Sequence, residues 1–365
     1  MKTCEKCLLN EKYPHIKFNE KNICNYCTNY DQHREKIEDK KHLRKLFEKR
    51  IEKIKGQNEY DCLIGISGGK DSSYVLHNLK NKYKLNVLAY TFDNGFLSDY
   101  AKNNIKNLVD RTGVDHFFYK ANWDFQKKLY INFMELQGIP CKGCSLGAYG
   151  TSFKFAFEKK IPFVIHGRTP SQIFRDFIPE STDPTIPFIK NNLTVYSKEN
   201  QIETLMQVSE RLIGLVSSVK NNNEELLEQL LKEFFPDVTE LFTADMIPEF
   251  LGFFLYHPYD EKSIKNILEK QLEWSRPKND KTFSHADCLI HDAVEYIRYK
   301  KFSYTITEPE ISVLIRQNKM TKKLAQNRIK QEHKDIAEPI KSLKHLCKNL
   351  DIDYKSFKED LESID

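Results

Sequence analysis

Ser67-Gly68-Gly69-Lys70-Asp71-Ser72-Ser73 places two glycines, three hydroxyls, a cation and a carboxylate in seven residues. The apolar run Asp61-Cys62-Leu63-Ile64-Gly65-Ile66 precedes it, and residues 72–82 continue with helical character. Gly68 and Gly69 let the backbone turn sharply and approach a ligand without a side-chain clash. The start of the following helix offers free N–H groups and the positive end of its dipole, which together suit an anion. The seven residues lack the Gly-x-x-x-x-Gly-Lys-Ser/Thr spacing of a Walker loop.

Cysteines form the second chemical pattern. Cys4-x-x-Cys7 and Cys24-x-x-Cys27 are two knuckles separated by sixteen residues, a layout that suits a tetrahedral structural zinc with no open coordination position. A module this small cannot fold on apolar burial alone, so the metal would contribute folding energy. Cys141-Lys142-Gly143-Cys144 follows the turn Gly138-Ile139-Pro140 and precedes a helix expected to start near Leu146. A thiol at a helix N-terminus is expected to have a depressed pKa and to be reactive. This pair suits redox or persulfide chemistry, part of an iron–sulfur cluster with Cys288 as third ligand, a second zinc, or a disulfide. Cys62, inside an apolar run, and Cys347, among apolar helical positions, read as core residues.

These groups need a scaffold. The short apolar runs at 61–66, 86–92, 116–119 and 162–165 read as strands, alternating with helices at 72–82, 98–112 and 146–159. That alternation predicts a parallel α/β sheet. Thr91-Phe92-Asp93-Asn94-Gly95 closes the second strand and His166-Gly167-Arg168 closes a later one, where open α/β sheets bind ligands. Residues 31–58 read as a charged linking helix. Residues 176–195 read as a long loop, followed by amphipathic helices near 200–218, 223–235, 261–274 and 308–350. The expected division is 1–30 as a zinc-knuckle module, 31–58 as the linker, 59–180 as the nucleotide-binding domain and 181–365 as a mainly helical region.

The 365 residues exceed one ordinary domain, and an apolar content of 40% with 12% aromatics supports a substantial core. A net charge of +5 and a pI of about 8.5 fall short of a dedicated nucleic-acid domain. No apolar run of membrane-spanning length and no signal-peptide pattern is present, so a cytoplasmic protein with reduced thiols is expected.

The strand and the Ser67–Ser73 turn resemble the PP-loop family of ATP pyrophosphatases, or adenine nucleotide α-hydrolases, with a HUP-like fold. The resemblance implies that Ser67, Gly68, Gly69, Lys70, Asp71 and Ser72 hold ATP phosphates and that Asp71 helps place Mg²⁺. It further implies that Phe92 and Asp93 meet adenine and ribose and that His166, Gly167 and Arg168 lie near the phosphates. Cys4 to Cys27, with Tyr13-Pro14-His15-Ile16-Lys17-Phe18 between, resembles the opening of N-acetyl sugar amidotransferases of lipopolysaccharide sugar biosynthesis. Trp274-Ser275-Arg276-Pro277, Asp287-Cys288-Leu289-Ile290 and residues 310–328 extend that likeness.

Zinc knuckles, a PP-loop and a central Cys-x-x-Cys also resemble sulfur-inserting members, including tRNA thiolases and a 6-thioguanine-forming enzyme. The resemblance implies adenylation of a carbonyl or amide oxygen, with AMP then displaced. The favoured expectation is a sulfur transferase acting on a small molecule or nucleotide such as a purine, with Cys141 or Cys144 carrying sulfur from a donor protein. The first alternative is an amidotransferase fed with ammonia by a glutaminase subunit; the second is a tRNA thiolase or RNA-binding protein. A homodimer is the candidate assembly.

Overall fold

The computed structural model describes residues 2–174, 223–275, 287–335 and 338–363. Backbone packing divides them into two compact units, one of residues 41–167, 223–275 and 287–289, the other of 2–40, 168–174, 290–335 and 338–363.

The first unit is built on five strands, β1 (Cys62–Gly65), β2 (Val87–Phe92), β3 (Asp115–Tyr119), β4 (Phe163–His166) and β5 (Glu249–Gly252), all parallel in the order β3-β2-β1-β4-β5. β1 sits centrally, with Leu63 between Leu88 and Val164. Its apolar run and the wholly buried β2 are what a sheet covered on both faces requires. The chain grows outward from β1 through β2 to β3, then crosses back to place β4 on the other side of β1. That reversal lies between β1 and β4, the position where open α/β sheets bind ligands beyond the strand carboxyl ends.

Helices Lys70–Asn81, Asp99–Thr112, Trp123–Gln137, Cys141–Glu158 and Glu224–Phe234 accompany the sheet. Ser98 and Asn122 cap two of them with side-chain oxygens, and Gly113 and Gly138 close the same two in the left-handed conformation. Leu63, Tyr90, Phe92, Phe125, Phe133, Val164 and Phe234 share one core. Cys62 is buried in β1, as read.

The α/β parallel sheet is as expected, with differences in detail. β5 comes from a stretch read as helical, Glu249-Phe250-Leu251-Gly252, too short for its period to register. The linking helix is two helices, Asn25–Glu38 and Lys40–Glu52, and the helix expected from Leu146 begins at Cys141. The helix near 200–218 and the loop at 176–195 lie outside the described residues.

The second unit joins the N-terminal cysteines to C-terminal helices His291–Phe302, Thr307–Arg316, Lys322–Asp335, Ile340–Asn349 and Tyr354–Glu362. Cys4, Cys7, Leu9, Tyr13, Cys24, Tyr26 and Cys27 pack with Tyr304, while Leu8 packs with Ile311, Ile315, Ala325 and Ile329. Cys347 is a buried core thiol in the helix Ile340–Asn349. No described helix is long and apolar enough to cross a membrane.

Candidate active site and metal centre

The turn after β1 is held from several sides. Gly68 has φ +77°, and a Cβ there would lie 2.3 Å from the Ala101 carbonyl oxygen, so glycine is required. Its own carbonyl accepts from Trp274 Nε1 at 2.9 Å and Asn104 Nδ2 at 3.1 Å. These two donors fix the peptide plane so that the following N–H groups stay with the turn. Gly69 caps the helix Lys70–Asn81, and Ser73 Oγ donates to its carbonyl at 2.8 Å. Ser67 Oγ accepts from Gly69 N at 3.4 Å, and Ser72 Oγ accepts from Ser67 N at 3.4 Å. Gly167, just past β4, lies against this start: a Cβ on it would be 2.8 Å from Ser72 N. The start of the helix Lys70–Asn81 thus occupies the crossover between β1 and β4.

Lys70 is only 8% exposed, and its Nζ pairs with Asp71 Oδ2 at 2.9 Å. Tyr259 OH donates to Asp71 Oδ1 at 3.1 Å. Burial raises the Asp71 pKa above the usual carboxylate value, and Lys70 and Tyr259 offset only part of that rise. Both carboxylate oxygens therefore already have donors, so a phosphate arriving at the turn would compete with Asp71 for Lys70.

The end of β2 builds the neighbouring surface. Asp93 Oδ1 accepts from Gly95 N at 3.0 Å, and Asn94 Oδ1 accepts from Phe96 N at 2.8 Å. Asn94 also accepts at its carbonyl from Tyr130 OH at 3.0 Å and donates from Nδ2 to Cys144 Sγ at 3.6 Å. Residues 287–289 run antiparallel to Phe96–Ser98: Leu97 bridges Cys288, and Ser98 N donates to the Asp287 carbonyl at 3.0 Å. Cys144, Cys288, Asn94, Tyr130 and Asp287 are thereby brought to one end of the sheet.

Two expectations change here. The Phe92 ring packs into the core, where a Cβ on Gly147 would meet it at 2.3 Å, so its side chain is committed to packing rather than to adenine. Cys144 was expected to be acidified by its helix end. Instead, burial pushes its thiol above the usual value and the Asp287 carboxylate adds to the rise, outweighing the hydrogen bonds from Asn94 and Tyr130. Cys141 is exposed at the first position of the same helix. These thiols with Cys288 form no convergent single-ion site among the described residues. His166 ends β4 with its ring edge-on to Tyr149, and Arg168 Nη2 donates to the Gln172 carbonyl at 2.7 Å. Arg276 and Pro277 lie outside the described residues.

In the second unit, Cys4, Cys7, Cys24 and Cys27 are fully buried, and their sulfurs lie within 4.8 Å of one another. Cys7 and Cys24 Sγ are 3.7 Å apart, against about 3.8 Å for two thiolates on a tetrahedral zinc with bonds of about 2.3 Å. The residues fit such an ion. Arg316, fully buried, donates from Nε to Cys27 Sγ at 3.5 Å and from Nη2 to Cys7 Sγ at 3.8 Å. Lys322 Nζ donates to the Cys4 and Glu5 carbonyls at 2.8 and 2.9 Å. Hydrogen bonds from Cys24 and Cys27, together with the Arg316 charge, hold the Cys7 thiol down at about 6.

Sequence reasoning gave no role to Asn104, Tyr130, Tyr259, Asp287 or Arg316. One signal existed for Arg316: it falls on the helical stripe of Ile311, Ser312 and Ile315, where a charged residue needs a buried partner.

Residues 279–364 match the family model described as LPS biosynthesis protein WbpG-like, C-terminal domain. A curated relative, uncharacterized protein MJ1599 of Methanocaldococcus jannaschii, is 31% identical over 104 residues, covering 27% of this chain. The chain spans 36% of the length of that relative. Among solved structures, the U34-tRNA thiolase NcsA from Methanococcus maripaludis with its [4Fe-4S] cluster is similar over 93% of this chain and 91% of that one, at 16% identity and TM-score 0.37. The NH3-dependent NAD synthetase from Campylobacter jejuni is similar over 57% of this chain and 98% of its own, at 14% identity and TM-score 0.30. Scores this low carry no argument about the site, which rests on the chain's own geometry.

Proposed function

We propose that this chain is an ATP-consuming, AMP-forming enzyme of the PP-loop type, which activates a carbonyl oxygen so that a nucleophile can replace it. The observation that carries the reading is the Ser67–Ser73 turn seated at the β1–β4 crossover with its carbonyls tied back and its amides at a helix start. ATP bound there would set its phosphates on the amides of residues 69–72 and on Lys70, the groups suited to stabilise a leaving pyrophosphate. The acceptor would approach from the Asn94, Tyr130 and Cys144 side. The four N-terminal cysteines would hold a structural zinc.

For the nucleophile we favour ammonia, with an N-acetyl sugar as acceptor. The match of residues 279–364 to the WbpG-like C-terminal domain supports this choice. So does the state of Cys144: a thiol raised above its usual pKa is a poor sulfur carrier at neutral pH. Sulfur transfer is the second reading, supported by the gathering of Cys144 and Cys288 at the same sheet end.

Incubating the full chain with ATP, UDP-N-acetylglucosamine and either ammonium or sulfide tests this, with product mass read directly. AMP and pyrophosphate with a nitrogen-for-oxygen product are expected. ADP as the nucleotide product would overturn the activation reading, and a sulfur-containing product would transfer the assignment to the second one.

A further inference from the structure

The phosphate turn and the Cys144 side chain belong to different elements, and one side chain reaches toward both. Asp287 Oδ2 lies 3.7 Å from the position a Cβ on Gly69 would take, so the carboxylate borders the turn. On its other side, its charge contributes to raising the Cys144 thiol. Its backbone is fixed: the Asp287 carbonyl accepts from Ser98 N at 3.0 Å, and Leu289 N donates to the Phe96 carbonyl at 2.8 Å. Ser98 in turn caps the helix Asp99–Thr112, whose Ala101 abuts Gly68. A single rigid chain of contacts therefore sets a carboxylate between the phosphate site and the Asn94–Tyr130–Cys144 surface.

The Asp287 carboxylate thus borders the turn that the proposed reading gives to the phosphates. On the ATP pose of the proposed function, the space it borders is where an acceptor atom would meet the α-phosphorus. From this placement we propose that Asp287 is the general base of the activation step, taking the N–H proton of an acceptor amide as the amide oxygen is adenylated. This rests on the AMP-forming reading above and holds for either nucleophile.

The amide oxygen bonds to the α-phosphorus, the bond from that phosphorus to the bridging oxygen breaks, and pyrophosphate leaves with its electron pair. The nitrogen lone pair forms the C=N bond, and the N–H proton passes to an Asp287 oxygen, leaving a neutral O-adenylyl imidate. When the nucleophile adds, Asp287 returns the proton to the imidate nitrogen, and AMP leaves. Acceptors without an amide N–H would gain nothing from this carboxylate, so the inference specifies a secondary amide such as an acetamido group.

The test uses the full chain with Asp287→Asn and Asp287→Glu, ATP, UDP-N-acetylglucosamine and ammonium. For Asp287→Asn, AMP formation is expected to fall by about 10²- to 10⁴-fold, the usual share of a general base. ATP affinity by calorimetry should stay within about twofold, since the base is engaged only in the reaction. Asp287→Glu should recover part of the rate. Wild-type turnover in Asp287→Asn overturns the proposal, as does loss of ATP binding in step with the rate, which would place Asp287 in the phosphate site. If wild type forms no AMP, the activation reading falls and the base role with it, whereas an active Asp287→Asn removes the base role alone.

Discussion

Gly68 shows how one residue can be both a fold determinant and a site determinant. A methyl group there meets backbone rather than a flexible side chain, and φ +77° is unfavourable for any L residue. Gly68→Ala is expected to cost about 2–5 kcal/mol, from left-handed strain plus overpacking, and to abolish ATP binding. Urea denaturation and calorimetry check both. Gly147→Ala provides the contrast: its Cβ would press on the Phe92 ring, so stability should drop by about 1–3 kcal/mol while ATP binding survives. Cys144 carries the pH prediction at this scale. With its thiol raised, iodoacetamide should modify it slowly at pH 7 and readily only well into the alkaline range, whereas the exposed Cys141 should react first.

The turn was legible in the sequence because its chemistry is contiguous. The groups that hold it, Trp274, Asn104 and Tyr259, were not legible as a set, since they come from three separate segments and only the fold brings them together. Cys144 was misread for a related reason: its helix position is local information, but the burial that overrides it and the Asp287 charge that adds to the rise come from the fold.

Among the elements, β5 depends on a partnership that its own four residues do not announce. Glu249 opens the strand at a buried position and pairs with Arg50 Nη1 at 3.2 Å, with both side chains almost wholly buried. This pair ties β5 to the helix Lys40–Glu52, so removing one partner strands a buried charge. Arg50→Met should cost about 3–5 kcal/mol at neutral pH, and Arg50→Met with Glu249→Gln should recover much of it. Burial already raises the Glu249 pKa. A raised folded-state value means stability is present below the unfolded pKa and lost as pH rises through the folded one. Unfolding curves for Arg50→Met should therefore show a smaller loss at acidic pH, where Glu249 is neutral, than at pH 8. Strands β1 to β4 were readable because their apolar runs end in glycine or polar turns. β5 was not, because Glu249 and Gly252 interrupt its apolar character.

At the scale of the molecule, four thiolates around the proposed dication would carry a net charge of about −2, with the buried Arg316 beside Cys7 and Cys27 as counter-charge. Chelation of the metal should lower the melting temperature and weaken the packing of the C-terminal helices, since those helices share a core with the knuckles. Arg316→Met should accelerate zinc release to a chromophoric chelator by at least about tenfold, as expected for losing about 1.4 kcal/mol or more of charge pairing. Zinc retained at the wild-type rate in that variant would show that Arg316 does not stabilise the site.

The joining of both chain regions in that unit also sets a schedule for biogenesis. Leu8 N donates to Ser312 Oγ at 3.2 Å, a contact between residues 304 positions apart. At about 5–20 residues per second, a ribosome needs roughly 15–60 s to deliver the second partner after the first has emerged. Through that interval the knuckles must wait with their apolar face and sulfurs uncovered by Arg316, Tyr304 and Ile311. The nascent chain is then most exposed to oxidation and to chaperone capture, so slowing elongation should increase aggregation of newly made protein while leaving the finished molecule unaffected.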